Sequence, residues 1–170
     1  EDLEVLYRDH LPQELGGHLR RGGIDRTVLV QAAATVAESD YLLSLADQHA
    51  FIAGVVGWID MDASDATAQL AHLSRHPKLL GIRPMIQDIA DPQWMLGDKL
   101  GPVYRELITR GLRFDALVKP PHLDALLTLL HRYPDQSEFD LKIQISELEF
   151  LRSNAAAQKA MAENYVGLPY

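Results

Sequence analysis

The sequence predicts an α/β fold built on a parallel sheet. Four short apolar runs recur at spacings of roughly 25 to 35 residues, and helical patterns fill the intervals. The runs lack the polar alternation of a half-wet strand, so they read as strands covered on both faces. Alternation of this kind makes right-handed βαβ units.

The elements follow in order. Tyr7 to Arg21 reads as a loop entering a short helix, with Leu11, Leu15 and Leu19 on one face and Gly22-Gly23 as its end. Arg26 to Ala32 is the first strand. Glu38 to His49 is a helix with Tyr41, Leu42, Leu45 and Ala46 inward. Phe51 to Trp58 is the second strand, followed by Asp60 and Asp62. Ser64 or Asp65 caps a helix running to His76. Leu79 to Gln87 is the third strand, with Arg83-Pro84 where it opens into a loop.

Asp91-Pro92-Gln93-Trp94 starts a short helix, and a second spans Pro102 to Arg110, closed by Gly111. Leu112 to Val118 is the fourth strand. Pro120-Pro121 ends it and starts a helix that stops at Tyr133-Pro134-Asp135. Beyond Asp135 the pattern weakens. Gln136 to Asp140 is a polar seam, Phe139 to Ser146 alternates like a fifth, edge strand, and Glu147 to Tyr165 is helical. Four clear βα units and one doubtful strand fit either a β/α barrel or a doubly wound sheet.

Composition narrows the function. A net charge of -8 over 170 residues argues against a nucleic-acid partner. No apolar run approaches the roughly 20 residues of a membrane span. The absence of cysteine rules out disulfides and thiolate catalysis within these residues. A small-molecule substrate and a cytoplasmic location are expected, and homo-oligomers are compatible with the sequence.

Chemistry gathers at the strand ends. Gln31, Trp58, Arg83 and the Asp115 to Lys119 segment end four different strands, and in a parallel barrel such positions converge on one mouth. Arg83 is the leading candidate, because an ion ending an apolar strand is costly without a function or a partner. With Gln31 and Trp58 it makes an anion- or carbonyl-recognising site with an aromatic platform, as sugars and sugar acids require. Asp115, Lys119 and His122 are further binding candidates, against the plainer readings of an ion pair, a solvated loop cation and a helix-start histidine. His72 and His76 lie four apart on one helix and read as a solvated face. The sequence contains no HxH, HExxH, Gly-rich phosphate loop or GxSxG motif. No catalytic residue and no metal-ligand set is therefore assigned.

Several segments resemble the sugar-lactonase branch of the amidohydrolase superfamily (L-fuconolactonase- and L-rhamnonolactonase-like proteins of the amidohydrolase 2 family). They are Thr27 to Ala32, Ala37-Glu38, Ile52 to Asp60, His76 to Arg83, Asp91 to Met95, Gly111 to Val118, Pro121-His122-Leu123 and Tyr133-Pro134. The resemblance implies a (β/α)8 TIM barrel that hydrolyses a lactone or similar carbonyl compound, with Arg83, Gln31 and Trp58 binding the substrate. It also implies a divalent metal, zinc or manganese, in some relatives and none in others. The family's His-x-His pair belongs upstream of this chain. Its Asp-His strand end and its Ser-Asp-Trp-Pro-like segment do not occur here.

A full barrel needs about 250 residues. Residues 1–170 are therefore expected to form one partial barrel, with a join near 136–140. The expected function is hydrolysis of a small carbonyl compound, foremost a sugar-acid lactone. The alternatives are a non-catalytic binding protein on a partial barrel, and a hydrolase or decarboxylase of aromatic carboxylates.

Overall fold

A computed structural model describes residues 9–133. The fifth strand, the seam at 136–140 and the C-terminal helix expected above lie outside the described residues.

Helix α1 (Pro12–Gly22) starts on a proline, whose fixed φ suits a first turn, and carries Arg20 and Arg21 in its last turn, where cations favour the helix dipole. Gly23 closes it at φ 65°, a conformation glycine adopts without steric cost. Strand β1 (Thr27–Val30) leads to α2 (Val36–Gln48), whose first turn is capped by the Thr35 side chain accepting from the Glu38 N–H. Strand β2 (Ile52–Gly57), α3 (Ala66–Leu73) and β3 (Leu79–Ile82) follow. Short 3-10 turns at Ile86–Asp88, Trp94–Leu96 and Asp98–Leu100 lead into α4 (Gly101–Thr109). Strand β4 (Arg113–Phe114), a turn at Pro120–His122 and α5 (Leu123–Arg132) complete the described chain.

The four strands form one parallel sheet in the order β1-β2-β3-β4. Its transverse rows separate two faces. Leu29–Val55–Leu79 and Gly57–Ile82–Phe114 lie under the helices. Val28–Gly54 and Val30–Val56–Gly81–Arg113 lie on the other face. The core joins Ile52, Val55, Ile82 and Phe114 to Leu43, Leu70, Leu107 and Leu126 from the helices. Burying one such side chain contributes about 1.5–3 kcal/mol. Tyr104 meets Phe114 edge-on, with ring centroids 5.2 Å apart and planes at 89°.

The structure corrects several expectations. The expectation of burial on both faces fails at β1, where Val28 and Val30 are 42% and 40% exposed. Theirs is the face of the sheet that no described helix covers. The third strand stops at Ile82 and turns into a 3-10 segment, because Pro84 has no N–H to extend the ladder. The fourth strand, expected over Leu112 to Val118, shortens to Arg113–Phe114. Its neighbour β3 takes one further bond, from the Asp115 N–H to the Ile82 carbonyl, and ends there. Helix α2 begins at Val36, two residues before the predicted Glu38, because Thr35 supplies the cap.

Candidate functional site

The residue that follows each strand defines the mouth. Gln31 follows β1, Trp58 follows β2, Arg83 follows β3 and Asp115 follows β4. Three of them extend the ladder by one bond: Gln31 N–H to the Val56 carbonyl at 2.9 Å, Arg83 N–H to Gly57 at 2.8 Å and Asp115 N–H to Ile82 at 2.9 Å. Trp58 departs from this pattern. Its N–H donates to Ser39 Oγ on α2 at 2.7 Å. Gly57 leaves the room for this approach, since a Cβ there would lie 3.1 Å from Ser39 Oγ.

Gln31 and Arg83 are brought together across the end of β2. Gln31 is fully buried, and its Nε2 donates to the Arg83 carbonyl at 2.7 Å. Arg83 Nη2 donates in return to the Gln31 carbonyl. The guanidinium is thus held half-buried at the mouth by a neutral partner, so this contact does not cancel its charge. Gln31 Oε1 is buried and accepts no hydrogen bond from any described residue. A buried acceptor without a partner is costly.

The first turn of α2 supports both neighbouring strand ends. The Glu38 carboxylate accepts from Ala33 N–H at 2.7 Å and Ala32 N–H at 3.1 Å, fixing the segment after Gln31. Ser39, fully buried, holds Trp58. The sequence reading missed both roles. The placement of Glu38 and Ser39 just after a Thr cap was the available signal.

Trp58 borders a cleft of about 240 Å³ between the loops after β2 and β3, together with Asp60, Met85, Asp88 and Trp94. Trp94 Nε1 donates to both oxygens of Asp62, at 2.9 and 3.1 Å, and Lys99 Nζ pairs with Asp62 at 2.6 Å. Burial alone would raise the Asp62 carboxyl, but the bonds from Lys99 and Trp94 outweigh it and hold the group below the usual carboxylate range. Met85, on the wall of this cleft, has its sulfur 3.6 Å from Gln31 Nε2. Trp94 and Asp62 carried no site signal in the sequence, because 32 residues separate them.

The remaining candidates are placed less centrally. Asp115 is half-buried beside the end of β3. Lys119 and His122 turn on each other: Lys119 N–H donates to His122 Nδ1 at 2.9 Å, and His122 N–H donates to the Lys119 carbonyl at 2.9 Å. His122 is buried, and its Nδ1 also lies 3.2 Å from the Lys119 carbonyl oxygen. His72 lies on α3 and His76 beyond its end, so the two do not share one helix; they bond Asp40 at 2.9 Å and Asp47 at 3.1 Å. A larger cavity of about 480 Å³ lies between α1 and α2. Leu11, Leu15, Tyr41 and Leu45 dominate it, and the strand-end residues do not line it.

Among the described residues, no three His, Cys, Asp or Glu side chains are grouped so as to hold a metal ion. No step through a metal is therefore assigned to them. No described helix is long and apolar enough to cross a membrane.

A family model described as amidohydrolase matches residues 1–163. The chain belongs to the amidohydrolase family. It is 46% identical over 134 residues to an L-fucono-1,5-lactonase from Burkholderia ambifaria, covering 79% of this chain and 46% of that protein. A crystal structure of an amidohydrolase from Burkholderia multivorans with bound zinc superposes with a TM-score of 0.70 at 31% identity, covering 76% of this chain and 46% of that one. A probable 2-pyrone-4,6-dicarboxylic acid hydrolase from Acinetobacter baumannii, with citric acid bound, shares the fold at a TM-score of 0.60 and 16% identity, covering 75% and 48%. The chain thus spans about half the length of these amidohydrolase relatives. Its four strands are part of the amidohydrolase (β/α)8 barrel.

Proposed function

We propose that the protein of which these residues form the described part hydrolyses a sugar-acid lactone. The observation that carries this reading is the Gln31–Arg83 exchange, which fixes a half-buried cation at the C-terminal mouth of a parallel barrel wall. A guanidinium there suits a carbonyl or carboxylate oxygen. The 46% identity to an L-fucono-1,5-lactonase supports the lactone as the substrate class.

Arg83 binds and polarises an oxygen of the lactone and does no proton transfer, because its side chain stays protonated throughout. Trp58 packs against the ring, and Gln31 sets the position of Arg83. Water adds to the carbonyl carbon, the ring C–O bond breaks, and the open hydroxy acid releases one proton at neutral pH. The group that takes the proton from water is not among the residues assigned here. Asp115, Lys119 and His122 belong to the same reading as neighbouring walls of the mouth.

The test is proton release by the full-length protein presented with L-fucono-1,5-lactone, with buffer alone as the reference. Sustained turnover supports the reading. Binding of the lactone without turnover supports a non-catalytic binding protein instead.

A further inference from the structure

We infer that Trp94 is a specificity-determining residue, and that the cleft it walls receives the hydroxylated, uncharged carbon skeleton of the substrate. The inference rests on the lactonase reading above and adds which part of the substrate lies where.

Trp94 is pinned twice. Its ring N–H is committed to Asp62, which Lys99 also holds. Its backbone turn is anchored next door, where the buried Tyr104 hydroxyl donates to the Met95 carbonyl at 3.0 Å. The only polar atom of the indole is therefore occupied. What remains for the cleft is the ring itself, an apolar surface suited to the C–H face of a saturated ring. Trp58 and Met85 add further apolar surface on the same cleft.

The polar groups bordering the cleft are carboxylates. Asp60 and Asp88 border it and no cationic side chain does. Lys99 lines a separate hollow behind Asp62. Carboxylates accept hydrogen bonds from hydroxyl groups and repel a second anion. The cleft thus fits a polyhydroxy ring and disfavours a dicarboxylate. Met85 lines the cleft and touches the Gln31 side chain that bonds the Arg83 carbonyl, so the cleft neighbours the arginine end. A lactone with its carbonyl at Arg83 would extend its hydroxylated carbons toward Trp94.

Two substrates separate this role from a structural one. L-fucono-1,5-lactone and δ-valerolactone both present the C–H face of a six-membered ring, and only the first carries hydroxyls. In the full-length protein, Trp94→Ala should raise KM for both lactones about tenfold or more with kcat nearly unchanged, and Asp60→Asn combined with Asp88→Asn should raise KM for the hydroxylated lactone alone. Trp94→Phe, which keeps a ring face, should fall between the parent and Trp94→Ala, and so should Asp62→Asn, which loosens the indole. A fall in kcat at unchanged KM in Trp94→Ala would reduce Trp94 to a structural tie and overturn the inference. So would unchanged constants for both lactones, or a KM that rises equally for both in the Asp60 and Asp88 variant. If the parent protein hydrolyses neither, the lactonase reading fails, and NMR titration with L-fucose decides the inference. Binding about tenfold weaker in Trp94→Ala supports it, and equal or absent binding in both proteins overturns it.

Discussion

Gln31 and Arg83 each donate a side-chain hydrogen bond to the other's main-chain carbonyl, across the end of the strand that separates them. Neighbouring strands lie about 4.8 Å apart, so the pair reaches across two strand spacings. Only long side chains leaning over the mouth achieve this. The exchange ties β1 to β3 and sets the position of the cation at once.

Each bond is measurable by itself, because its acceptor is a main-chain carbonyl that alanine at the other position retains. Gln31→Ala and Arg83→Ala in the full-length protein should each cost about 1 kcal/mol or more in urea unfolding, and the double variant should lose nearly the sum. Single variants as stable as the parent would show that the exchange contributes nothing to stability.

Ser39→Ala should cost about 1–3 kcal/mol, because it strands the Trp58 N–H without an acceptor in a buried place. Ser44, exposed on the same helix and bonded to the Tyr41 carbonyl, is the control, and Ser44→Ala should cost less than about 0.5 kcal/mol. Urea midpoints at constant m-value decide between them.

Gly81→Ala should destabilise more than Gly54→Ala. A Cβ at Gly81 would lie 2.4 Å from the Arg113 carbonyl oxygen, and backbone held in a ladder cannot yield. A Cβ at Gly54 would meet the Leu80 side chain at 2.3 Å, and that chain can change rotamer. Overpacking costs about 1–3 kcal/mol, so Gly81→Ala belongs at or above the upper end. Thermal melts of both variants give the order.

The strand ends were readable in advance because an ion or amide closing an apolar run has few structural excuses. Gln31, Trp58, Arg83 and Asp115 all follow their strands directly. Strand lengths were not readable. Whether Leu112 to Val118 pairs along its length depends on β3, which Pro84 has already ended. Nor could local pattern reveal that β1 would present Val28 and Val30 on an open face, since burial depends on what covers the sheet. The Asp62–Trp94 tie was hidden for a related reason: it joins two loops distant in sequence, and neither loop has a periodicity to read.

Tyr104 gives a pH test of the packing beneath that tie. Burial foremost, with Tyr133 and Asp62 adding to it against Arg132, pushes its hydroxyl well above the ordinary tyrosine range. The folded state keeps this proton while the unfolded chain loses it above about pH 10. Its contribution is therefore complete below that pH and falls as pH rises further. Tyr104→Phe should lower stability by about 1 kcal/mol near neutrality and flatten the alkaline decline. Identical declines in both proteins would show that Tyr104 is not the source.

The account stands most directly on Arg83. With L-fucono-1,5-lactone and the full-length protein, Arg83→Ala should lower kcat/KM by about 10- to 100-fold, the loss of one charge-assisted contact of roughly 1.5–3 kcal/mol, while thermal unfolding shows the variant still folded at the assay temperature. Unchanged lactone turnover in a folded Arg83→Ala variant would contradict the assignment of the mouth as the lactone site.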